Sequence, residues 1–154
     1  IGSCEDMLFN IEYILRVKSS IYDPSLFYHY RKTSSSYTSG FRPSLPIQWN
    51  CLYDKLKEIL ILNNVYEKYE QAYLNRISLG IVGLGLNIIA SRSSFKVQKK
   101  MMKQLLSSQQ YSLAVKKLSL RYMPLHWKSF YIFVKQKNAF IVLCLLKIIN
   151  RIIK

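Results

Sequence analysis

The chain has 154 residues, half of them hydrophobic, and a formal net charge of +15 at pH 7. A chain of this length and composition can bury the core of one domain, which excludes wholesale disorder. Its three cysteines, Cys4, Cys51 and Cys144, have neither paired nor metal-type spacing. They argue against a disulfide framework and favour reduced thiols packed as small core residues.

The charge is distributed unevenly along the chain. Residues 1–70 contain all eight acidic residues and eight of the lysines and arginines, so this part is close to neutral. Residues 71–154 hold the other 15 basic residues and no acidic residue. A segment with such one-sided charge usually faces a polyanion, and nucleic acid and anionic lipid are the usual candidates. The charge alone does not choose between them.

The first predicted element is a helix over residues 5–18. Two adjacent carboxylates, Glu5 and Asp6, lie in its first turn, where the helix dipole favours negative charge. Taken alone, such a pair is explained by capping of the helix end. The apolar side chains recur at the three-and-four spacing of one buried helix face: Leu8, Ile11, Ile14 and Leu15.

A short strand is predicted next, after a turn at residues 23–25. The stretch LFYHYR, residues 26–31, is rich in aromatic residues, as strands are. Alternation along the strand places His29 and Arg31 on the same face, which brings a candidate ligand and a cation side by side. Residues 32–46 contain serines, a glycine and two prolines, and this composition predicts a loop.

From residue 47 onward the sequence predicts helices. Two apolar stripes, separated at residues 63–64, are Trp49, Leu52, Tyr53, Leu56, Ile59 and Leu60, then Tyr66, Tyr69, Tyr73 and Ile77. The segment 77–90 is apolar nearly all round but only 14 residues long, so it predicts a buried helix better than a membrane span. Its glycines match no phosphate-binding spacing, and we expect them to be close-packing positions.

Two segments of the basic part predict helices with cations on one face. The cations are Lys96, Lys99, Lys100 and Lys103 on the first segment, opposite Val97, Met101 and Leu105, and Lys147, Arg151 and Lys154 on the second. Such a helix can lie in a membrane interface, where each cation near an anionic leaflet contributes about 1 kcal/mol. The alternative is an ordinary helical bundle with a solvated lysine face. Nucleic-acid binding is disfavoured, because the aromatic residues lie in the apolar stripes instead of alternating with the bases.

Two motifs within residues 2–38 occur in a specific order. EDMLFN, residues 5–10, opens the first helix, and LFYHYR with a serine cluster follows about twenty residues later. This order resembles the family 2 glycosyltransferases of bacterial surface-polysaccharide synthesis. In that family a segment G-E-D-x-x-F-N precedes P-L-Y-H-Y-R and a serine-rich loop. This chain departs from the pattern at Gly2, which stands two residues further from Glu5, and at Ser25 and Phe27 in the second motif.

The resemblance implies a role for the acidic pair. In an inverting glycosyl transfer a base takes the proton from the acceptor hydroxyl as that hydroxyl attacks the anomeric carbon. By similarity Asp6 is this base and Glu5 its neighbour. A carboxylate held at a helix N-terminus suits the task, and general-base assistance is worth about 10²- to 10⁴-fold in rate.

The second motif implies contacts to the donor. A nucleoside diphosphate leaves with extra negative charge that a divalent cation or protein cations must stabilise. By resemblance His29 completes the metal site or contacts the diphosphate, and Arg31 offers a bidentate fork to phosphate oxygens. The hydroxyls of Ser34, Ser35 and Ser36 would add hydrogen bonds. A divalent metal, magnesium or manganese, is expected for the complete enzyme. The alternative for His29 is a structural role, which is also our interpretation of His126.

The resemblance also implies the fold class and the domains. We expect an α+β protein in which residues 1–45 are the C-terminal, acceptor-side part of a GT-A (Rossmann-like) catalytic domain and residues 46–154 are a basic, mostly α-helical extension. The 154 residues contain no Asp-x-Asp motif, on which such enzymes rely to bind the donor. We therefore expect a C-terminal fragment that has no transferase activity alone.

The expected partners follow from this interpretation. They are a nucleotide-sugar donor and a glycan acceptor, the latter lipid-linked, together with an anionic membrane surface and partner transferases, but no nucleic acid. The expected location is cytoplasmic and peripheral, on the inner face of the cell membrane. The alternative is a non-enzymatic basic helical module that binds an anionic membrane surface, with both motifs purely structural.

Overall fold

The computed structural model describes residues 5–25, 40–121 and 123–153. Within these ranges the chain forms seven helices. They are α1 (Glu5–Arg16), α2 (Leu45–Leu62), α3 (Tyr66–Ala90), α4 (Phe95–Ser107), α5 (Gln109–Lys117), α6 (Leu125–Lys135) and α7 (Ala139–Ile153). Short turns connect the six helices from α2 to α7.

The α+β fold class expected from the sequence is wrong, because no residue in the described ranges forms a strand. The described part of the chain is all-helical, which conflicts with an α+β remnant of a GT-A domain. A sheet needs at least two paired strands, whereas every long apolar segment here has the period of a helix and packs against other helices. The strand predicted at residues 26–31 lies outside the described residues.

The long helix α3 is the centre of the bundle. It packs against α2, α4, α5 and α7, while α1 packs on α2, and α6 packs between α5 and α7. The segment predicted as a buried helix, residues 77–90, forms the second half of α3 and supplies Ile77, Ile81 and Leu84 to the core. This prediction is confirmed. The proposed division at residues 45–46 stays a prediction, although α1 and α2 are in contact.

Three glycines let other side chains approach α3 closely. A Cβ atom at Gly83 would lie 2.6 Å from Cη2 of Trp49, and one at Gly80 would collide with the hydroxyl of Tyr53. A Cβ atom at Gly85 would collide with the side chain of Leu146 and come close to that of Met102. The interpretation of these glycines as close-packing positions is confirmed.

By length and composition, α3 is the one helix in the described ranges that could cross a membrane. Half of its most apolar 18-residue window is buried inside the bundle. Its buried residues contact α2, α4, α5 and α7.

The apolar stripe of α2 is confirmed by burial of Leu52, Tyr53, Leu56 and Leu60. The helix begins at Leu45, two residues earlier than predicted, with a proline in its first turn. Proline is tolerated there because the amide it lacks would have no helical partner. The predicted break after this helix is also present, since Asn64 has a positive φ of 57°.

The segment before α2 is held to α3 by one side chain. The backbone N–H of Arg42 donates to Oδ1 of Asn87 at 2.8 Å, and Nδ2 of Asn87 donates to the carbonyl of Arg42 at 2.9 Å. Asn87 is buried in the last turn of α3, among apolar residues. The two hydrogen bonds satisfy its amide and fix the point at which the chain enters α2.

In α1 and α4 the side of the helix that is buried differs from the side predicted from the sequence. Ile14 of α1 is 65% exposed, whereas Met7 packs against the core instead. In α4 the buried positions are Gln98, Met102 and Leu106, one residue after those predicted. The Nε2 of Gln98 donates to the carbonyl of Ile89 at 3.4 Å, so this polar side chain turns toward α3.

The two described cysteines differ from the prediction that they are core residues. Cys51 is exposed on α2 and Cys144 is half-buried on α7. Both are free thiols, as expected from their spacing.

Candidate functional site

Asp6 lies in the first turn of α1 and is exposed to solvent. Glu5 is the first residue of the same helix. The helix extends to Arg16, so the carboxylate of Asp6 is held near the positive end of a helix dipole of more than three turns. This geometry suits either an N-terminal acid that stabilises the helix or a carboxylate presented to an incoming substrate.

An apolar groove begins one residue from Asp6. Its volume is about 340 Å³, and it lies between α1 and the facing surfaces of α2 and α3. The walls consist of Met7, Ile11, Ile14 and Leu15 from α1, Leu56 and Leu60 from α2, and Tyr69, Ala72, Tyr73 and Arg76 from α3. Apolar side chains therefore cover almost the whole groove, while Tyr73 and Arg76 supply polar groups on one wall.

Arg76 is a cation that the sequence analysis did not single out. Its Nε lies 3.4 Å from Sδ of Met7, and its guanidinium carbon lies 5.8 Å from the ring centroid of Trp49. These contacts hold the guanidinium at the wall of the groove, next to the N-terminal turn of α1. Only the packing of α1 against the bundle reveals this position.

Tyr73 is a second polar group on the same wall. Burial, followed by the influence of Tyr66 and Asp54, raises its pKa to about 12. Its phenol therefore keeps its proton at neutral pH, and its hydroxyl is hydrogen-bonded to the side chain of Gln110.

The donor-side residues inferred from the resemblance lie outside the described residues. These are His29, Arg31, Ser34, Ser35 and Ser36. Among the residues that the structure describes, no three His, Cys, Asp or Glu side chains are grouped closely enough to hold a metal ion. The expected magnesium or manganese site stays a prediction about the residues around His29.

The two cationic faces predicted from the sequence are brought together by the fold. Helices α4 and α7 pack against each other. Nζ of Lys99 lies 5.8 Å from the ring centroid of Phe140, and Nζ of Lys147 lies 4.7 Å from that of Phe95. We call this region the α4–α7 surface. Its described cations are Lys96, Lys99, Lys100, Lys103, Lys147 and Arg151, whereas Lys154 lies outside the described residues.

A separate cavity of about 740 Å³ lies beside the segment that Asn87 anchors. Trp49, Arg42 and Arg92 line it, together with Asn150 at the end of α7. His126, which we interpreted as structural, is exposed at the start of α6 and lies against Trp127, with ring centroids 5.8 Å apart. It is not one of the residues that line the apolar groove.

Comparison with known proteins returned no matching family model, no matching curated protein and no matching solved structure.

Proposed function

We propose that this chain is the C-terminal, acceptor-side part of an inverting glycosyltransferase of the family 2 type. The proposal rests first on the two motifs in residues 2–38. The observation that carries it in the structure is the exposed carboxylate of Asp6, held in the first turn of α1 at one end of an apolar groove. In this proposal His29, Arg31 and the serine cluster contribute to the donor site, and its Asp-x-Asp motif belongs to a part of the enzyme outside these 154 residues.

In this proposal Asp6 acts as the general base. Its carboxylate takes the proton of an acceptor hydroxyl while the hydroxyl oxygen forms a bond to the anomeric carbon of the donor sugar. The bond from that carbon to the phosphate oxygen breaks, and the nucleoside diphosphate leaves with the electron pair. The exposed position of Asp6 in the first turn of α1 leaves room for an acceptor hydroxyl to approach its carboxylate.

The groove supports a lipid-linked acceptor. Its apolar walls match a hydrocarbon chain, and the guanidinium of Arg76 on one wall matches the phosphate that links such a chain to a glycan. Arg76 would pair with the phosphate oxygens. An acceptor held this way places its glycan beyond the N-terminal turn of α1, toward Asp6.

The experiment is a transfer assay with the complete enzyme in membranes that contain its acceptor. The membranes receive radiolabelled UDP-, GDP- and dTDP-linked hexoses, and label in the lipid-linked or glycan fraction is measured. We expect label from at least one donor to be incorporated with inversion at the anomeric carbon. Incorporation from every donor at the level of membranes that lack the enzyme would contradict the proposal.

The second candidate is a non-enzymatic module on an anionic membrane surface. The observation that favours it is the α4–α7 surface, which contains neither Asp6 nor the groove. The same surface would keep a transferase at the cytoplasmic face of the membrane, where partner transferases act. The two candidates differ in whether Asp6 matters, because only the enzyme needs its carboxylate.

A further inference from the structure

The α4–α7 surface has a high density of positive charge without neighbouring acids. Lys96, Lys99, Lys100 and Lys103 are all exposed on α4. Neither α4 nor α7 contains an acidic residue, and no acid occurs anywhere from residue 71 onward. The ion pair found among the described residues is Lys117–Glu70, with 2.9 Å between Nζ and Oε1, on α5 and α3. The cations of this surface are therefore not neutralised by described acids.

The same surface also exposes large apolar side chains. On α7, Phe140, Ile148 and Ile152 are 51%, 55% and 78% exposed. Their spacing of eight and four residues puts them on one stripe of the helix, opposite the buried stripe of Val142, Leu143 and Leu146. A helix that buries one apolar stripe in the bundle would ordinarily present a polar stripe to water. The outward stripe of α7 is apolar instead.

The cations border this apolar stripe. Lys147 and Arg151 lie beside Ile148 and Ile152 on α7. Lys99 reaches Phe140 from α4, and Lys147 reaches back to Phe95 at the start of α4. Apolar side chains bordered by lysine and arginine are the arrangement of a helix that lies in a membrane interface, with cations at the headgroups.

We propose that the α4–α7 surface docks on an anionic phospholipid bilayer, with Phe140, Ile148 and Ile152 inserted among the acyl chains. The lysines of α4 and the cations of α7 then lie at the level of the phosphate groups. An anionic headgroup layer complements both the sign and the spread of the charge, and the hydrocarbon below it accepts the apolar stripe. The proposal goes beyond the transferase function and does not rest on it.

Vesicle sedimentation of the complete protein tests the electrostatic part. Vesicles of phosphatidylcholine alone are compared with vesicles of phosphatidylcholine and phosphatidylglycerol mixed about 3:1, at salt from about 0.05 to 0.5 M. We expect strong binding to the anionic vesicles at low salt and a steep loss at high salt. Binding that is equal on both vesicles and independent of salt would overturn the proposal.

Matched charge variants locate the binding surface. Lys96→Gln, Lys99→Gln, Lys100→Gln and Lys103→Gln are combined in one variant. Lys55→Gln, Lys57→Gln, Lys68→Gln and Lys116→Gln, at exposed positions on α2, α3 and α5, are combined in the control. The α4 variant should lose about 100-fold or more in partition to anionic vesicles, because each cation near the leaflet is worth about fivefold. The control should lose much less, and equal losses in the two variants would contradict the proposal.

A fluorescent reporter tests the insertion. Ile148→Trp puts the probe on the exposed apolar stripe, and Leu62→Trp puts it at an exposed position at the end of α2. The vesicles contain lipids with brominated acyl chains, which quench the fluorescence of tryptophans inserted among them. After the fluorescence of the native tryptophans is subtracted, the signal of Ile148→Trp should be quenched, whereas that of Leu62→Trp should not. Equal quenching in both variants, or none in Ile148→Trp, would overturn the insertion. Binding to polyuridylate in the absence of any binding to vesicles would assign the surface to nucleic acid instead.

Discussion

At the residue scale, the buried tyrosines are the groups that make folding sensitive to pH. The hydroxyl of Tyr131 donates to the carbonyl of Ser78 at 3.2 Å, and that of Tyr111 donates to Oδ1 of Asn50 at 3.2 Å. Burial raises the pKa of both phenols, and it raises that of Tyr73 to about 12. All three stay neutral in the folded protein at pH values where an exposed tyrosine begins to ionise.

This difference predicts a loss of stability in alkali. The folded state holds these protons more tightly than the unfolded state, whose tyrosines titrate near pH 10. The contribution to the free energy of unfolding is therefore complete below about pH 10 and is lost as the pH rises toward 12. Urea unfolding at a series of pH values measures it. Tyr73→Phe should flatten the decline, and a decline identical to that of the unaltered protein would contradict the assignment.

The roles of some single residues were predictable from the sequence, and the roles of others depended on contacts between distant parts of the chain. The sequence correctly predicted that the glycines of α3 allow close packing, because they lie in an apolar helix without any phosphate-binding pattern. It did not predict the role of Arg76 at the groove, since the contact with Met7 joins residues 69 positions apart. It also did not predict that Asn87 anchors the segment before α2, because a buried asparagine is recognised only by its partner.

At the element scale, the packing of α2 on α3 depends on glycines that face aromatic side chains. The ring of Trp49 lies against Gly83 and Gly80, and the hydroxyl of Tyr53 also lies against Gly80. Rings cannot shorten or bend, so an added methyl group must displace a whole side chain or the helix.

Gly83→Ala should therefore destabilise the protein even though alanine favours a helix. A Cβ atom 2.6 Å from Cη2 of Trp49 should cost about 1–3 kcal/mol, against a gain of about 1 kcal/mol in helix propensity. Urea unfolding measures the net change. When Trp49→Phe shortens the ring, the same Gly83→Ala change should become neutral or stabilising. An equal loss in both backgrounds would show that the ring is not the obstacle.

The helices were predictable because their periodicity is local. The stripe of α2 and the burial of residues 77–90 follow from spacing alone and are confirmed. The registers of α1 and α4 were less accurate, because the surrounding helices decide which side of an amphipathic helix faces inward. The strand expected at residues 26–31 lies outside the described residues and stays a prediction.

At the scale of the whole molecule, the candidate catalytic carboxylate and the candidate membrane surface belong to different helices. Asp6 and the groove are formed by α1, α2 and α3, and the cationic surface is formed by α4 and α7. Helix α3 contacts α2, α4 and α7 and so connects the two regions. Sequence reasoning anticipated the cations of both predicted helices. Their assembly into one surface, and the exposed apolar stripe beside them, depended on how α4 and α7 pack.

The fold class, which was predicted as α+β and is all-helical in the described residues, is also a property of the whole molecule. The resemblance covers a short part of the chain, and a motif of a few residues carries chemistry more reliably than it carries the surrounding fold. The described residues build an all-helical bundle. The proposed role of Asp6 needs only a fixed and accessible carboxylate, which the first turn of α1 provides.

The most direct measurement is the rate of sugar transfer by the complete enzyme carrying Asp6→Asn, with Glu12→Gln as control. Both side chains are exposed acids on α1, so the two changes remove the same charge from the same helix. As the loss of a general base, Asp6→Asn should lower kcat by about 10²- to 10⁴-fold while donor binding is unchanged, and Glu12→Gln should leave kcat unaltered. If Asp6→Asn transfers sugar as fast as the unaltered enzyme, Asp6 is not the base and the acidic pair serves only to begin the helix.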